Sequence, residues 1–502
     1  MLTPVPPILG VGTTCDSAGR GSETTLGDDL RPSRFIFGPP TSRNRETRMA
    51  KRHLLILGLF LAGGALASAC SDTTVGPIEE GDAGAGGEAG AKGNAGASAN
   101  AGTTGSDAGS TGDAGSLGVG GDNGNDGEGG AGGQTDEPPF VFPAALNPQT
   151  VVVVGSTPAS LTHLLVGAKD YATEGEIVSL TLATGALGDA TTYADGDVVV
   201  ASSAGLGFAI ERTNDQVHLL DGGKIDKSFD LKDLGTNQAV TGTKAYVPFY
   251  NQSLIAVLDL TAGKISHRID LNEYNAPGDS DHSAEITEGV YDPTSKVSYF
   301  LLQRIDINSY DLDVHLPCTD QPALIVGIDS KTDQVVDLNG SAKGKAIELE
   351  LVNPRSLSIN ADGTALYLLA DGCYEGATKV RRGVEVVDLT ENGQTTVANQ
   401  AAGSDYLASM ILIGGANALL ESNDSSYATH WNKLEIGGAL GAEIKNVPQG
   451  VSFDGTDLIG VKITGKVGAV VRYKIATETS TVISPTSWAG DYSFGAFTAL
   501  AK

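Results

Sequence analysis

Basic side chains, aromatics and cysteine are all scarce in this 502-residue sequence. Lys and Arg number 33 against 61 Asp and Glu, for a formal net charge of −28. That deficit excludes a nucleic-acid binder working by phosphate neutralisation, and it argues against adhesion to anionic lipid. Four cysteines are too few for a miniprotein built on disulfides, and no Cys-X-X-Cys or Cys/His spacing suggests structural zinc. Long helical periodicity is missing, which excludes a helical bundle. No Gly-X-Ser-X-Gly elbow is present, so serine-based acyl transfer finds no support. What the chain does have is glycine, 67 residues of it, unevenly spread.

The one apolar run of any length is Leu54 to Ala67, preceded by Lys51 and Arg52 and followed by Ser68-Ala69-Cys70. A short basic segment, an apolar stretch and small residues make the three-part layout of an export signal, too short for a comfortable membrane span. Leu66-Ala67-Ser68-Ala69-Cys70 resembles the lipobox of bacterial lipoproteins, with Ala67 where leucine is usual. The resemblance implies cleavage before Cys70 and acylation of that cysteine. Residues 1–48 are rich in Pro, Gly, Ser, Thr and Arg and would bury such a signal, so Met49 is the expected start and 49–70 the signal peptide. Removing residues 1–69 deletes three more basic than acidic side chains, leaving the exported chain more acidic still. Ser71 lacks the aspartate that retains some lipoproteins at the inner membrane, which favours the outer membrane, on its periplasmic or surface face.

Residues 71–137 are Gly, Ala, Ser, Asp and Asn with almost nothing to bury. Such a stretch cannot offset the entropy of ordering itself and is expected to be a disordered, acidic tether. A calcium loop at Asp122–Glu128 is disfavoured, because the dense glycine offers no scaffold to hold ligands.

From 138 to 502 the composition changes to strand-like runs of five to eight residues bounded by Gly, Asp, Asn and Thr, such as Ile255–Leu260 and Ala365–Ala370. The runs recur as units: a turn, an apolar strand, a loop, then a second strand ending in Asp-Leu-Thr, as at Asp259-Leu-Thr261 and Asp388-Leu-Thr390. The unit resembles the YVTN-type β-propeller repeat of surface and periplasmic proteins, closely only over 238–274, and it lacks the Gly-His and Trp-Asp pairs of WD repeats. Openings near 148, 196, 238, 284, 347, 401 and 448 predict an all-β propeller of seven four-stranded blades, with six or eight also open and paired β-sandwiches as the competing architecture. The last strand, Ser493–Leu500, is expected to close the ring by pairing near Thr150.

In a propeller the connections between outer and inner strands, and between second and third strands, emerge on one face. Four insertions fall there on neighbouring units. They hold Asp279, Asp281, His282 and Glu285; Asp306, Asp311, Asp313, His315 and Cys318; Asp371, Cys373, Glu375, Arg381 and Arg382; and Asp424, Tyr427, His430 and Trp431. With Cys15 removed and Cys70 acylated, Cys318 and Cys373 are the cysteines left in an oxidising compartment, and a disulfide between them is expected. Asp279, Asp281 and Glu285 offer the oxygen ligands calcium takes, as do Asp306, Asp311 and Asp313, though solvated acidic loops are the favoured explanation of both sets. His282, His315 and His430 make a zinc set only if the fold brings them together.

The leading expectation is a lipid-anchored, non-catalytic, monomeric binding module of the cell envelope. It would need no cofactor and would present this loop face to a protein, peptide or glycan, with no nucleic acid involved. The alternative is a calcium-dependent hydrolase or lactonase working at the channel mouth. Propeller lactonases often hold a calcium ion in the channel, and Glu285, Glu288 and Asn353, on or near predicted inner strands, could imitate its ligands, although this is not the favoured reading. Pyrroloquinoline-quinone propellers carry a tryptophan per blade, whereas this chain has only Trp431 and Trp488.

Overall fold

The computed structural model describes residues 145–155, 161–169, 174–309, 316–318, 321–340, 344–375, 378–401, 405–464, 467–484, 488–489 and 496–501. The signal segment, Cys70, the tether, Asp311, Asp313 and His315 lie outside these residues.

Seven antiparallel sheets form a seven-bladed propeller, each blade having four main strands. Blade 1 runs, inner strand first, Ala496–Ala501, His163–Lys169, Gly175–Thr181 and Thr191–Tyr193. Blade 2 spans Val198–Asp230. Blade 3 takes Val152–Val153 as its inner strand and continues with Lys244–Pro248, Leu254–Asp259 and Lys264–Asp270. The inner strands of blades 4 to 7 are Ile286–Asp292, Pro354–Ile359, Tyr406–Gly414 and Gln449–Phe453. Blade 4 carries an extra pair, Ile347–Glu348, and blade 5 an inserted hairpin of Cys373–Glu375 and Thr378–Val380.

The strands read as nearly continuous apolar runs because a blade is sandwiched between two others. In His163–Lys169, Leu164 and Val166 pack toward Ile459 and Val461 of blade 7, while Leu165 packs toward Val198 and Val200 of blade 2. Period-2 alternation thus buries both faces. Seven apolar clusters fill the seven junctions between neighbouring blades, so the ring is complete. Burying a large aliphatic side chain contributes about 1.5–3 kcal/mol relative to exposure, and many of these residues have no solvent exposure at all.

The aspartate that ends the third strand of blades 3, 4 and 5 has a local role. Asp259 accepts the backbone N–H groups of Thr241 and Ala262, Asp329 those of Lys331 and Thr332, and Asp388 that of Thr390. These bonds tie the adjoining loops to the end of the third strand and hold the carboxyls below their ordinary range. Much of the repeat signature is therefore turn chemistry.

Ring closure differs from expectation in one respect. Ala496–Ala501 does complete the ring, but its partner is His163–Lys169, with Leu165 opposite Ala499. The segment around Thr150 goes elsewhere: Val152 lies opposite Tyr246 and Val153 opposite Ala245, in blade 3. The reason lies in the connection after blade 2. Residues 231–243 run outside blade 3, where the amides of Thr236 and Asn237 donate to Ile265 and Ser266 of its outer strand. That leaves the inner position of blade 3 to the N-terminal strand.

Candidate functional site

Alternation of strand direction places the connections between second and third strands, and those from outer to inner strands, on one face of the ring. On blades 3 to 6 this loop face is built up and braced. Residues 271–285 lead into the inner strand of blade 4, residues 303–323 join its second and third strands, and residues 371–382 do the same in blade 5.

Cys318 and Cys373 are joined in a disulfide, with their Cα atoms 4.9 Å apart. Around it the blade 4 insertion pairs with the blade 5 hairpin: the Tyr374 amide donates to Leu316 O at 2.9 Å and the Cys318 amide to Tyr374 O at 3.3 Å. Blade 6 is tied in through Asp371, which accepts the Leu407 amide at 2.8 Å. Arg382 donates to the carbonyl of Asp405. Loops from three successive blades are thereby fixed to one another.

Asp371 is also the anion of a buried charge cluster. The Lys379 ammonium sits 2.8 Å from it, Arg382 3.7 Å and Arg355 4.0 Å, and all four residues are buried. Burial lowers the pKa of Lys379 despite the Asp371 carboxylate beside it. Arg355 stacks on the Tyr406 ring at 4.4 Å, and Lys379 lies 5.3 Å from the same ring. A polar chain lies alongside on blades 3 to 5. The Tyr250 hydroxyl donates to Gln303 Oε1 at 3.2 Å, and Gln303 Nε2 donates to Asn353 Oδ1 at 3.1 Å and to Pro354 O at 2.7 Å.

Four carboxyls converge at the junction of the blade 3–4 connection with the blade 4 insertion. Ligand oxygens of Asp279, Asp281 and Asp306 lie within 4.8 Å of one another. Asp281 accepts the amides of Ile307 and Ser283, at 2.7 and 3.0 Å, and Asp306 accepts the Ser280 hydroxyl at 2.8 Å. Glu285, fully buried, accepts the Ile305 amide at 2.9 Å. Burial, reinforced by Asp281, pushes Asp279 up to about 6, and the same causes hold Glu285 well above the carboxylate range. Glu288, one turn of strand further in, has neither oxygen hydrogen-bonded, and burial alone raises it well above its ordinary value.

The sequence-derived candidates divide accordingly. Asp279, Asp281, Glu285 and Asp306 come together. Arg382 and Asp371 belong to the buried charge cluster, and Arg381 donates to Glu350 O at the edge of the face. Glu375, His282 and Tyr427 are exposed. Trp431 was expected on the binding face. Its side chain is instead buried between blades 6 and 7 against Val451 and Phe453, because alternation along Thr429–Glu435 turns it inward. His430 points the other way, to Glu443 at 2.9 Å and Asp424 at 3.5 Å. Among the described residues, the one group able to converge on a metal contains no histidine. Of the three positions that could imitate a lactonase calcium set, Glu288 lies on an inner strand and Glu285 and Asn353 just precede one, but the Asn353 amide is engaged by Gln303 and Gly372. Sequence reasoning did not single out Tyr250, Gln303, Arg355, Lys379 or Tyr406. The one available signal was Arg355, a charge interrupting the otherwise apolar or small strand Pro354–Ile359.

No protein-family model and no curated protein matches the chain. Among solved structures it is similar to TolB from Acinetobacter baumannii, at 12% identity and a TM-score of 0.37, over 67% of this chain and 65% of that one. It is also similar to a Bacteroides uniformis protein assigned as a 6-phosphogluconolactonase, at 14% identity and a TM-score of 0.43, over 68% and 99% of the two chains. A third is AztD from Citrobacter koseri, at 10% identity and a TM-score of 0.37, over 68% and 98%. Likeness at this level extends to the propeller fold and no further, and the three neighbours differ in kind among themselves.

Proposed function

We propose that this protein is an exported, lipid-anchored binding module of the cell envelope, using the loop face of blades 3 to 6 to engage a protein, peptide or glycan. The observation that carries the reading is the bracing of that face. A disulfide, a strand pairing and the Asp371 ion cluster lock together insertions from three successive blades. A surface held in this way loses little conformational freedom on binding, which is what preorganised recognition requires. Exposed Glu375 stands on this rigid base, and exposed Tyr427 on the neighbouring blade 6 loop. Acylation at Cys70 and the tether would hold the ring at the membrane, the outer membrane by preference.

The experiment is capture from envelope extracts with the full-length protein, run in parallel with two variants. Tyr427→Ser alters the loop face. Lys331→Glu alters a turn between third and fourth strands, on the opposite face. Loss of a captured partner with the first and retention with the second supports the reading; the reverse pattern overturns it.

A second reading, a calcium-dependent hydrolase or lactonase, is favoured by one observation, the raised pKa of the convergent Asp279 and Glu285. Hydrolysis of a lactone panel that disappears with chelator would support it.

A further inference from the structure

We propose that Asp279, Asp281, Asp306 and Glu285 form a divalent-cation site, suited to calcium, that ties the blade 3–4 connection to the blade 4 insertion. The inference does not depend on whether the loop face binds a partner or performs hydrolysis.

The trio Asp279, Asp281 and Asp306 supplies oxygens within 4.8 Å of one another. Two oxygens on opposite sides of one calcium ion, each about 2.4 Å from it, stand about 4.8 Å apart, so the spacing matches a shared ion. Acidic clusters are common on acidic proteins, and the trio alone would mean little. Glu285 supplies a separate observation. It stands outside the trio, just ahead of the inner strand of blade 4, and has no solvent exposure. Its Oε2 is occupied by the Ile305 amide, but its buried Oε1 meets no hydrogen-bond donor, and the charges that act on it most strongly are those of Asp281 and Asp279. Asp279 Oδ2 is likewise buried without a donor. Two buried oxygens thus face other carboxylates, an arrangement that costs free energy unless a proton or a cation lies between them.

Among the described residues the nearby cation is Arg304, whose charge acts on Asp279 and Glu285 from beyond ion-pair distance. Arg304 directs its guanidinium to the carbonyls of Pro322 and Asn275, at 3.0 and 3.4 Å. Asp279 Oδ1 and both Asp281 oxygens accept backbone amides from the two loops, which fixes these carboxylates before any ion arrives. An all-oxygen set without His or Cys selects a hard ion over zinc or copper. Calcium suits it better than magnesium, because ligands drawn from two loops and a strand do not present a strict octahedron.

The test uses the full-length protein, stripped with chelator and titrated with calcium by calorimetry, with magnesium as comparison. One calcium per chain is expected, with magnesium at least tenfold weaker. Asp306→Asn, at a half-exposed position, should weaken calcium at least tenfold, whereas Asp424→Asn, an acidic residue on the blade 6 loop, should leave it unchanged. Melting curves supply a second readout that a merely structural role would not give. Calcium should raise the melting temperature of the parent protein by a few degrees and not that of Asp306→Asn. In chelator the variant should melt at or above the parent, because repulsion is relieved. Absence of calcium binding by the parent, equal binding by Asp306→Asn, or equal affinity for magnesium would overturn the assignment.

Discussion

Val153 lies opposite Ala245, in blade 3, although the next strand along the chain, His163–Lys169, belongs to blade 1. The ring is therefore locked at two places, by the C-terminal strand in blade 1 and by the N-terminal strand in blade 3. Asp215 anchors the second lock, accepting the amides of Leu146 and Asn147 at 2.6 and 3.2 Å. The chain enters that strand from the loop face and leaves on the other side, past Ser203, whose hydroxyl accepts the Val153 amide at 2.8 Å.

Gly289 tests this threading. A Cβ there would stand 2.7 Å from Val152 Cγ2 and 2.8 Å from the Phe300 ring. Gly289→Ala is expected to destabilise the protein by about 1–3 kcal/mol, since neither neighbour has room to move. Chemical denaturation measures it; an unchanged midpoint would place Val152 elsewhere.

The disulfide closes a loop with a sequence separation of 55 residues. Chain-entropy arguments assign such a closure on the order of 4 kcal/mol. Alkylation without reductant, followed by mass spectrometry, should leave Cys318 and Cys373 unmodified, and reduction should lower the melting temperature.

Asp371 is the anion that faces Lys379, Arg382 and Arg355 together. Removing it leaves the buried Lys379 ammonium without its carboxylate, which costs about 3–5 kcal/mol. Asp371→Asn should show that loss in a denaturation curve together with a mobile 371–382 hairpin by hydrogen exchange. Lys379→Met, which removes a buried cation instead, should cost less.

Glu288 controls a pH dependence. Its pKa is raised in the folded state by burial, so the folded protein holds the proton more tightly than the unfolded chain. The stability it contributes is fully present below the unfolded value of about 4.3 and is lost as pH rises toward the folded value, at about 1.4 kcal/mol per pH unit. Glu288→Gln should remove this slope and make the variant relatively more stable at pH 8 than at pH 4. Parallel stability curves for the two proteins would refute it.

His430 behaves in the opposite chemical sense. Glu443 first, then Asp424, favour its protonated form and raise its pKa above 6.5. What it contributes is present below the unfolded value and lost as pH rises through the folded one. The site is too exposed to matter much for stability, so the direct measurement is an NMR titration, in which Glu443→Gln should bring the pKa down.

Much of the architecture was legible beforehand because its causes are local. The turn-capping aspartates Asp259, Asp329 and Asp388 recur at matching places in their blades, and two-sided burial makes each strand an apolar run. The openings near 196, 284, 347, 401 and 448 fall shortly before the inner strands of blades 2, 4, 5, 6 and 7, whereas the one near 148 leads into the inner strand of blade 3 and the one near 238 into its second strand. Trp431 and His430 show where local reading stops. They are adjacent on one strand, and only the packing of blade 7 decides which of them is core.

The pairing of chain ends and the grouping of charges belong to the tertiary structure. Either terminal segment has enough apolar character to serve as an inner strand, so composition alone does not choose a partner. The choice is made by the route of residues 231–243, which leaves one inner position vacant. Similarly, Asp279, Asp281, Glu285 and Asp306 were visible as acidic residues on two loops, but their convergence is a matter of angstroms in three dimensions. The chain by itself determined that it would form strands in repeating units. Long-range packing determined which carboxylates must share a buried corner, because separation along a backbone does not set separation in space.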